Sequence, residues 1–236
     1  MASDLMELGS RSLISALHKP VAPPGLEYLA QLDQVAIQQI VKMCEVMTAL
    51  EFKNKYILKN SVGQEFLFAQ EHSTFCSRHF LANVRPFQTA FTNNCGQEVM
   101  RLNRPLKCAN CCSPCCLQVM EVSNLGQMMG SVHQEWSFCT PWAAKFTIKN
   151  PSNDILYWVK APCCVCSCGG DVIFQVFSAD CEVVVGRIIK TWRGFFSECA
   201  TDADNFTVTF PQSIDVRHKA LILGAAFLID ILYFER

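Results

Sequence analysis

The sequence carries no excess of charge of either sign: 20 lysines and arginines face 21 aspartates and glutamates in 236 residues, a formal net charge of -1. Bulk attraction to nucleic acid or anionic lipid is thereby excluded, and either partner would need a local patch. No basic cluster is dense, so there is no strong nucleic-acid signal. A glycine-rich phosphate loop is missing, and His18, His72, His79, His133 and His218 are scattered without a ligand spacing. No pairing of nucleophile and base suggests itself, so no chemical reaction is expected. The first 25 residues lack an unbroken apolar run and place Asp4 and Glu7 where a secretory signal is basic. The chain is therefore expected to start in the cytosol.

Cysteine is what the sequence has in plenty, 15 in all, with Cys108, Cys111, Cys112, Cys115 and Cys116 crowded into "KCANCCSPCCLQ". An odd number in a reducing compartment argues against a disulfide framework and for thiols that bind metal, react or carry lipid. The cluster follows a strand-like "RPL" and precedes "LQVMEV", which places it on a loop kept irregular by Pro114. Cys108-x-x-Cys111 could combine with Cys163-x-x-Cys166 into a four-thiolate zinc site. Adjacent exposed cysteines near apolar residues are also good S-acylation acceptors, and two or more chains anchor stably where one is marginal. Acylation is expected at Cys111, Cys112, Cys115 and Cys116, with a metal site and unmodified thiols as the alternatives. "CCVCSC", residues 163–168, runs directly into a strand and is expected to pack as small hydrophobes.

Pro20, Pro23, Pro24 and Gly25 end a short flexible arm, residues 1–24, and the folded domain is expected over 25–236. "LEYLAQL" reads as a short amphipathic helix. The stretch to Glu51 mixes β-branched Val35, Ile37, Ile40 and Val41 with helix formers, and its period is undecided. From Lys55 the chain repeats: "NSVGQ" at Asn60, "NNCGQ" at Asn93 and "SNLGQ" at Ser123 put a glycine at the same place in three turns. Their flanks alternate apolar and polar, as hairpin strands do. "KFTIK" and "ILYWVK", then "DVIFQVF" and "EVVVGRII", make two further hairpins, and "FTVTF" adds a strand. Eleven or so antiparallel strands must hide their edges, and closing into a barrel is the usual way. "ALILGAAFLIDILYF", Ala220–Phe234, is apolar all round apart from Asp230, as a helix buried on every side is. Its 15 residues rise about 22 Å, short of the roughly 30 Å of a bilayer core. A helix over 219–235 filling the barrel is the preferred reading over a membrane span.

"PPGLEYLAQLDQ", "RPLKCANCCSPCCLQ", "TDADNF" followed by "FP", and "KALILGAAFLIDILYFE" together resemble the phospholipid scramblases, from about Pro23 to the end. The resemblance implies a mainly β, tubby-like fold: a closed antiparallel barrel of about twelve strands around a hydrophobic C-terminal central helix. It implies calcium-stimulated, ATP-independent movement of phospholipids between leaflets, palmitoylation of the cysteine cluster, and in some members nuclear import and promoter binding. The family's long proline-rich arm is nearly absent, so SH3- and WW-type partners are not expected. Ser113 stands where relatives often have cysteine, Thr207 where glycine is usual, and Ser213 where a final carboxylate is expected.

Asp202, Asp204 and Asn205, helped by Asp215, are the calcium candidates, since they offer hard oxygens as an EF-hand loop begins. The remainder of that loop is missing, and the same residues also serve as turn formers before a strand. "GRIIKTWRG" corresponds to the import segment of some relatives, which makes Arg187, Lys190 and Arg193 candidate importin contacts; three cations on a strand and its turn are also an ordinary solvated edge. The expected location is the cytoplasmic face of a membrane, with phospholipid and a second copy of the chain as partners, and the nucleus when unacylated. A soluble barrel tethered by acyl chains and working through protein partners is the alternative to lipid transport. A zinc-stabilised module is the third reading.

Overall fold

The computed structural model describes residues 22–40, 55–72, 86–107, 116–136, 144–162, 170–191 and 205–234. A 3-10 helix, Glu27–Gln31, leads into twelve strands: β1 (Gln34–Ile40), β2 (Lys55–Lys59), β3 (Glu65–His72), β4 (Phe87–Thr92), β5 (Glu98–Arg104), β6 (Val119–Asn124), β7 (Gln127–Glu135), β8 (Lys145–Lys149), β9 (Ile155–Lys160), β10 (Val172–Ser178), β11 (Val184–Lys190) and β12 (Asn205–Thr209). Each strand pairs with its sequence neighbours, and β1 closes on β12 with Gln34 opposite Thr209. The closed barrel expected from the hairpins is the observed architecture. β1, the strand whose period was undecided, is the staple that completes it.

Alternation decides which side chains face inward. Val159, Phe174, Val176, Ile188 and Val208 are fully buried, while the residues between them reach the outer face. The lumen is filled by α1 (Val216–Tyr233). Its side chains meet the wall on all sides: Phe227 lies 5.0 Å from the Tyr56 ring and 5.1 Å from Phe91, Tyr233 meets Phe146, and Phe234 meets Phe174 and Phe206. Helix and wall come close at Gly224, since a Cβ there would lie 2.8 Å from Val122 Cγ2 and 3.4 Å from Leu102 Cδ2. The helix starts at Val216, three residues before the expected 219, because the Asp215 side chain accepts a hydrogen bond from Arg217 N at 2.8 Å.

Two polar groups on α1 are buried with it. Asp230 accepts a hydrogen bond from the Tyr56 hydroxyl at 3.2 Å. Lys219 is 0% exposed, and its Nζ donates to the carbonyls of Leu29 (3.0 Å), Ala30 (3.3 Å), Leu32 (2.6 Å) and Gln212 (3.1 Å), 5.1 Å from the Phe210 ring. The ammonium thus ties the 3-10 helix across the end of the barrel where α1 begins.

The two rims differ. At the α1 N-terminal rim the hairpins are tight: Asn60, Asn93 and Asn150 each accept a backbone N–H across the turn through Oδ1. "NSVGQ" and "NNCGQ" close identically, with Gly63 at φ 82° and Gly96 at φ 75°. "SNLGQ" folds differently from its relatives: Asn124 pairs with Gln127 around Leu125 and Gly126, both at positive φ, a tighter two-residue turn. At the other rim the strands open into six longer connections, between β1 and β2, β3 and β4, β5 and β6, β7 and β8, β9 and β10, and β11 and β12.

Candidate functional site

Every cysteine of the chain except Cys95 and Cys181 falls in those six connections, so the strand directions send the thiol-bearing segments out from one rim. The strands themselves carry none. Cys108, Cys111, Cys112 and Cys115, and the second cluster Cys163, Cys164, Cys166 and Cys168, lie outside the described residues. The root of the first connection is described. Arg104, 1% exposed, donates through Nε and Nη2 to Gln118 Oε1 at 3.1 and 2.9 Å, and Gln118 Nε2 donates to the Cys116 carbonyl at 3.0 Å. Lys107 Nζ donates to the Leu117 carbonyl at 3.1 Å, and Gln118 N to Gln134 Oε1 at 3.2 Å.

One expected acceptor is buried at this root. Cys116 is 9% exposed, and its carbonyl is held by Gln118, so it offers an acyl donor little access as the loop stands. The remaining candidates, Cys111, Cys112 and Cys115, still exceed the two chains a stable anchor takes.

The calcium candidates are not brought together as a set. Asp202 and Asp204 lie outside the described residues, and Asn205 opens β12 at the thiol-bearing rim. Asp215 lies past the far end of β12 and caps α1 at the opposite rim, so it does not share a site with Asn205. Among the described residues no three His, Cys, Asp or Glu side chains cluster as metal ligands.

The importin candidates also separate. Arg187 is exposed on β11, and Arg193 lies outside the described residues. Lys190 is 4% exposed, its Nζ held 5.0 Å from the Phe206 ring and 5.2 Å from Phe234. A cation enclosed this way offers no surface contact, a correction to the reading of three solvated cations in a row.

One pairing escaped the sequence reading. Ser131 Oγ lies 2.8 Å from His133 Nε2 on the outer face of β7, an i,i+2 relation that strand alternation could have revealed. Its hydroxyl is buried, and Glu135, next on that face, accepts from Thr147 Oγ1 at 2.6 Å. Burial pushes the His133 imidazole below its usual pKa, with Lys149 acting in the same direction. Two cavities, of about 380 and 520 Å³, lie at the tight-hairpin rim. The first is lined by Pro24, Asn124, Met129, Asp215 and His218, the second by Leu26, Tyr28, Phe66 and Cys95. Neither includes the Ser131–His133 pair.

A family model described as Scramblase matches residues 14–236. Phospholipid scramblase 1 of Mus musculus is 48% identical over 215 residues, 91% of this chain and 65% of its own length. Phospholipid scramblase 2 of Homo sapiens is 47% identical over 215 residues, 91% of this chain and 71% of its own. Phospholipid scramblase family member 5 of Homo sapiens is 41% identical over 214 residues, 90% of this chain and 78% of its own. The chain spans 65% of the length of the first of these relatives.

Proposed function

The chain belongs to the scramblase family, and from that premise we propose that it promotes calcium-stimulated, ATP-independent movement of phospholipids between bilayer leaflets. The reading is carried by similarity to phospholipid scramblases over nearly the whole barrel, strands and central helix included. No bond of the lipid is made or broken in such a step. The barrier is the headgroup, whose unpaired burial in hydrocarbon is costly, so the protein must offer it a polar route. Acyl chains on Cys111, Cys112 and Cys115 would hold the thiol-bearing rim against the cytoplasmic leaflet, and Asp202, Asp204 and Asn205 are the oxygens left to take calcium. A lumenal route requires α1 to leave the barrel, which breaks every bond from Lys219 to the 3-10 helix.

A specific observation favours a second reading, an acyl-tethered barrel that acts through protein partners. The lumen is filled by α1, and no helix among the described residues is long and apolar enough to cross a membrane. One assay separates the two. Purified, acylated protein is reconstituted with fluorescent phospholipid, and loss of the dye in both leaflets to an external reductant is followed with and without millimolar calcium. Lipid movement above protein-free vesicles supports transport. Its absence under both conditions sinks that reading and leaves the tether.

A further inference from the structure

The carboxylates of the barrel strands are confined to one side of the wall, where Lys55, Lys59, Arg101 and Arg104 accompany them. All strand carboxylates, Glu65, Glu71, Glu98, Glu121 and Glu135, lie on β3, β5, β6 and β7. Strands β8 to β12 carry Lys145, Lys149, Lys160, Arg187 and Lys190 and no carboxylate at all.

Register assembles the outward-facing residues of β8–β11 into rows. Lys145 stands opposite Lys160, Lys160 opposite Gln175, and Gln175 opposite Arg187. Strands about 4.8 Å apart make this row about 14 Å long. On one side of it Trp158 faces Phe177, which faces Val184; on the other Ile173 faces Ile189. Ile173 and Val184 are each 42% exposed, and Ile155 and Val183 on the same strands and their turn are exposed as well. The Lys160 ammonium lies 4.4 Å from the Phe177 ring centre. Lys145 also stands opposite Glu135 of β7, where the two halves of the wall meet, but among the described residues none of Lys145, Lys160 and Arg187 forms an ion pair, and two lysines directly opposite each other repel.

Unpaired cations in a row between two apolar rows, an aromatic pair among them, suit a surface that is negative at headgroup level and apolar beneath. We infer that the outer wall of β8–β11 is a docking face for an anionic phospholipid bilayer. Lys145, Lys160 and Arg187 meet headgroup phosphates and carboxylates, and Trp158, Phe177, Ile173 and Val184 settle at the interface. The face works without acyl chains and without lipid movement, so it stands apart from the reading above.

The test uses the full chain produced without acylation, sedimented with phosphatidylcholine vesicles and with vesicles holding 30% phosphatidylserine, a fraction of about that size being enough to set up a surface potential. Binding is expected to the anionic vesicles only and to weaken as salt rises. At about fivefold per cation, the triple variant K145Q/K160Q/R187Q is expected to bind roughly a hundredfold more weakly. A control neutralising Lys55, Lys59 and Arg217 is expected to bind like wild type, with circular dichroism melts establishing that both variants fold. Equal binding to both vesicle types, no binding by wild type, or equal loss in both variants overturns the inference. So does wall-dependent binding of a short RNA with none of vesicles, which would make the face a nucleic-acid surface.

Discussion

At the residue scale the chain invests its buried polar groups in holding α1 where it is. Lys219 is the clearest case, because the residue is fully buried and its ammonium donates to the carbonyls of Leu29, Leu32 and Gln212. Burial draws its pKa down, with Asp33 opposing, while the protonated form brings three hydrogens to these carbonyls where the neutral amine brings two. Lys219→Met should cost about 1–3 kcal/mol through the loss of these charge-assisted hydrogen bonds, read from urea unfolding; a loss under 0.5 kcal/mol would refute the tie. Histidines set a second expectation. Burial depresses His133 and His218, the latter bonded to the Tyr157 hydroxyl at 2.8 Å, below 6.5. Below that pH the unfolded chain takes up protons that the folded chain refuses, so their contribution is intact above about 6.5 and fades as pH falls through the depressed values. The melting temperature of wild type should therefore drop more between pH 7.5 and 5.5 than that of H133Q/H218Q, and parallel curves would contradict it.

Among elements, α1 depends on a close fit. Gly224→Leu would drive a side chain into Val122 and Leu102, and overpacking of this kind costs about 1–3 kcal/mol. Thermal melts should fall accordingly, whereas Gly170→Ala, with open space around it, should leave them unchanged. Strands were legible wherever one face is wet, since Phe206 and Val208 alternate plainly with Asn205, Thr207 and Thr209. β1 was not, because Gln38 and Gln39 interrupt its alternation and good helix formers surround it. Turn glycines announced the hairpins, but not that Leu125 would itself take positive φ, a choice made by the register of β6 on β7. The burial of Cys116 was beyond sequence spacing, because the root of its loop is held by bonds between Arg104 and Gln118, residues 14 apart. For the same reason nothing local warned that Lys190 would be enclosed by Phe206 and by Phe234 from the end of α1.

For the whole molecule, two asymmetries coexist: thiol-bearing connections leave from one rim, and strands β8–β12 carry cations with no carboxylate while every strand carboxylate lies on β3–β7. A net charge of -1 conceals the second completely, since only register places Lys145, Lys160 and Arg187 in one row. On the readings proposed above, acyl chains at that rim would tether the barrel and the cationic wall would orient it on a bilayer. The measurement that bears most directly on the central claim is lipid redistribution in proteoliposomes containing the acylated chain. The account predicts that fluorescent phospholipid becomes accessible from both leaflets faster than in protein-free vesicles, and faster still with calcium. Accessibility that stays at one leaflet's share, with calcium present and the protein demonstrably membrane-bound, would contradict it.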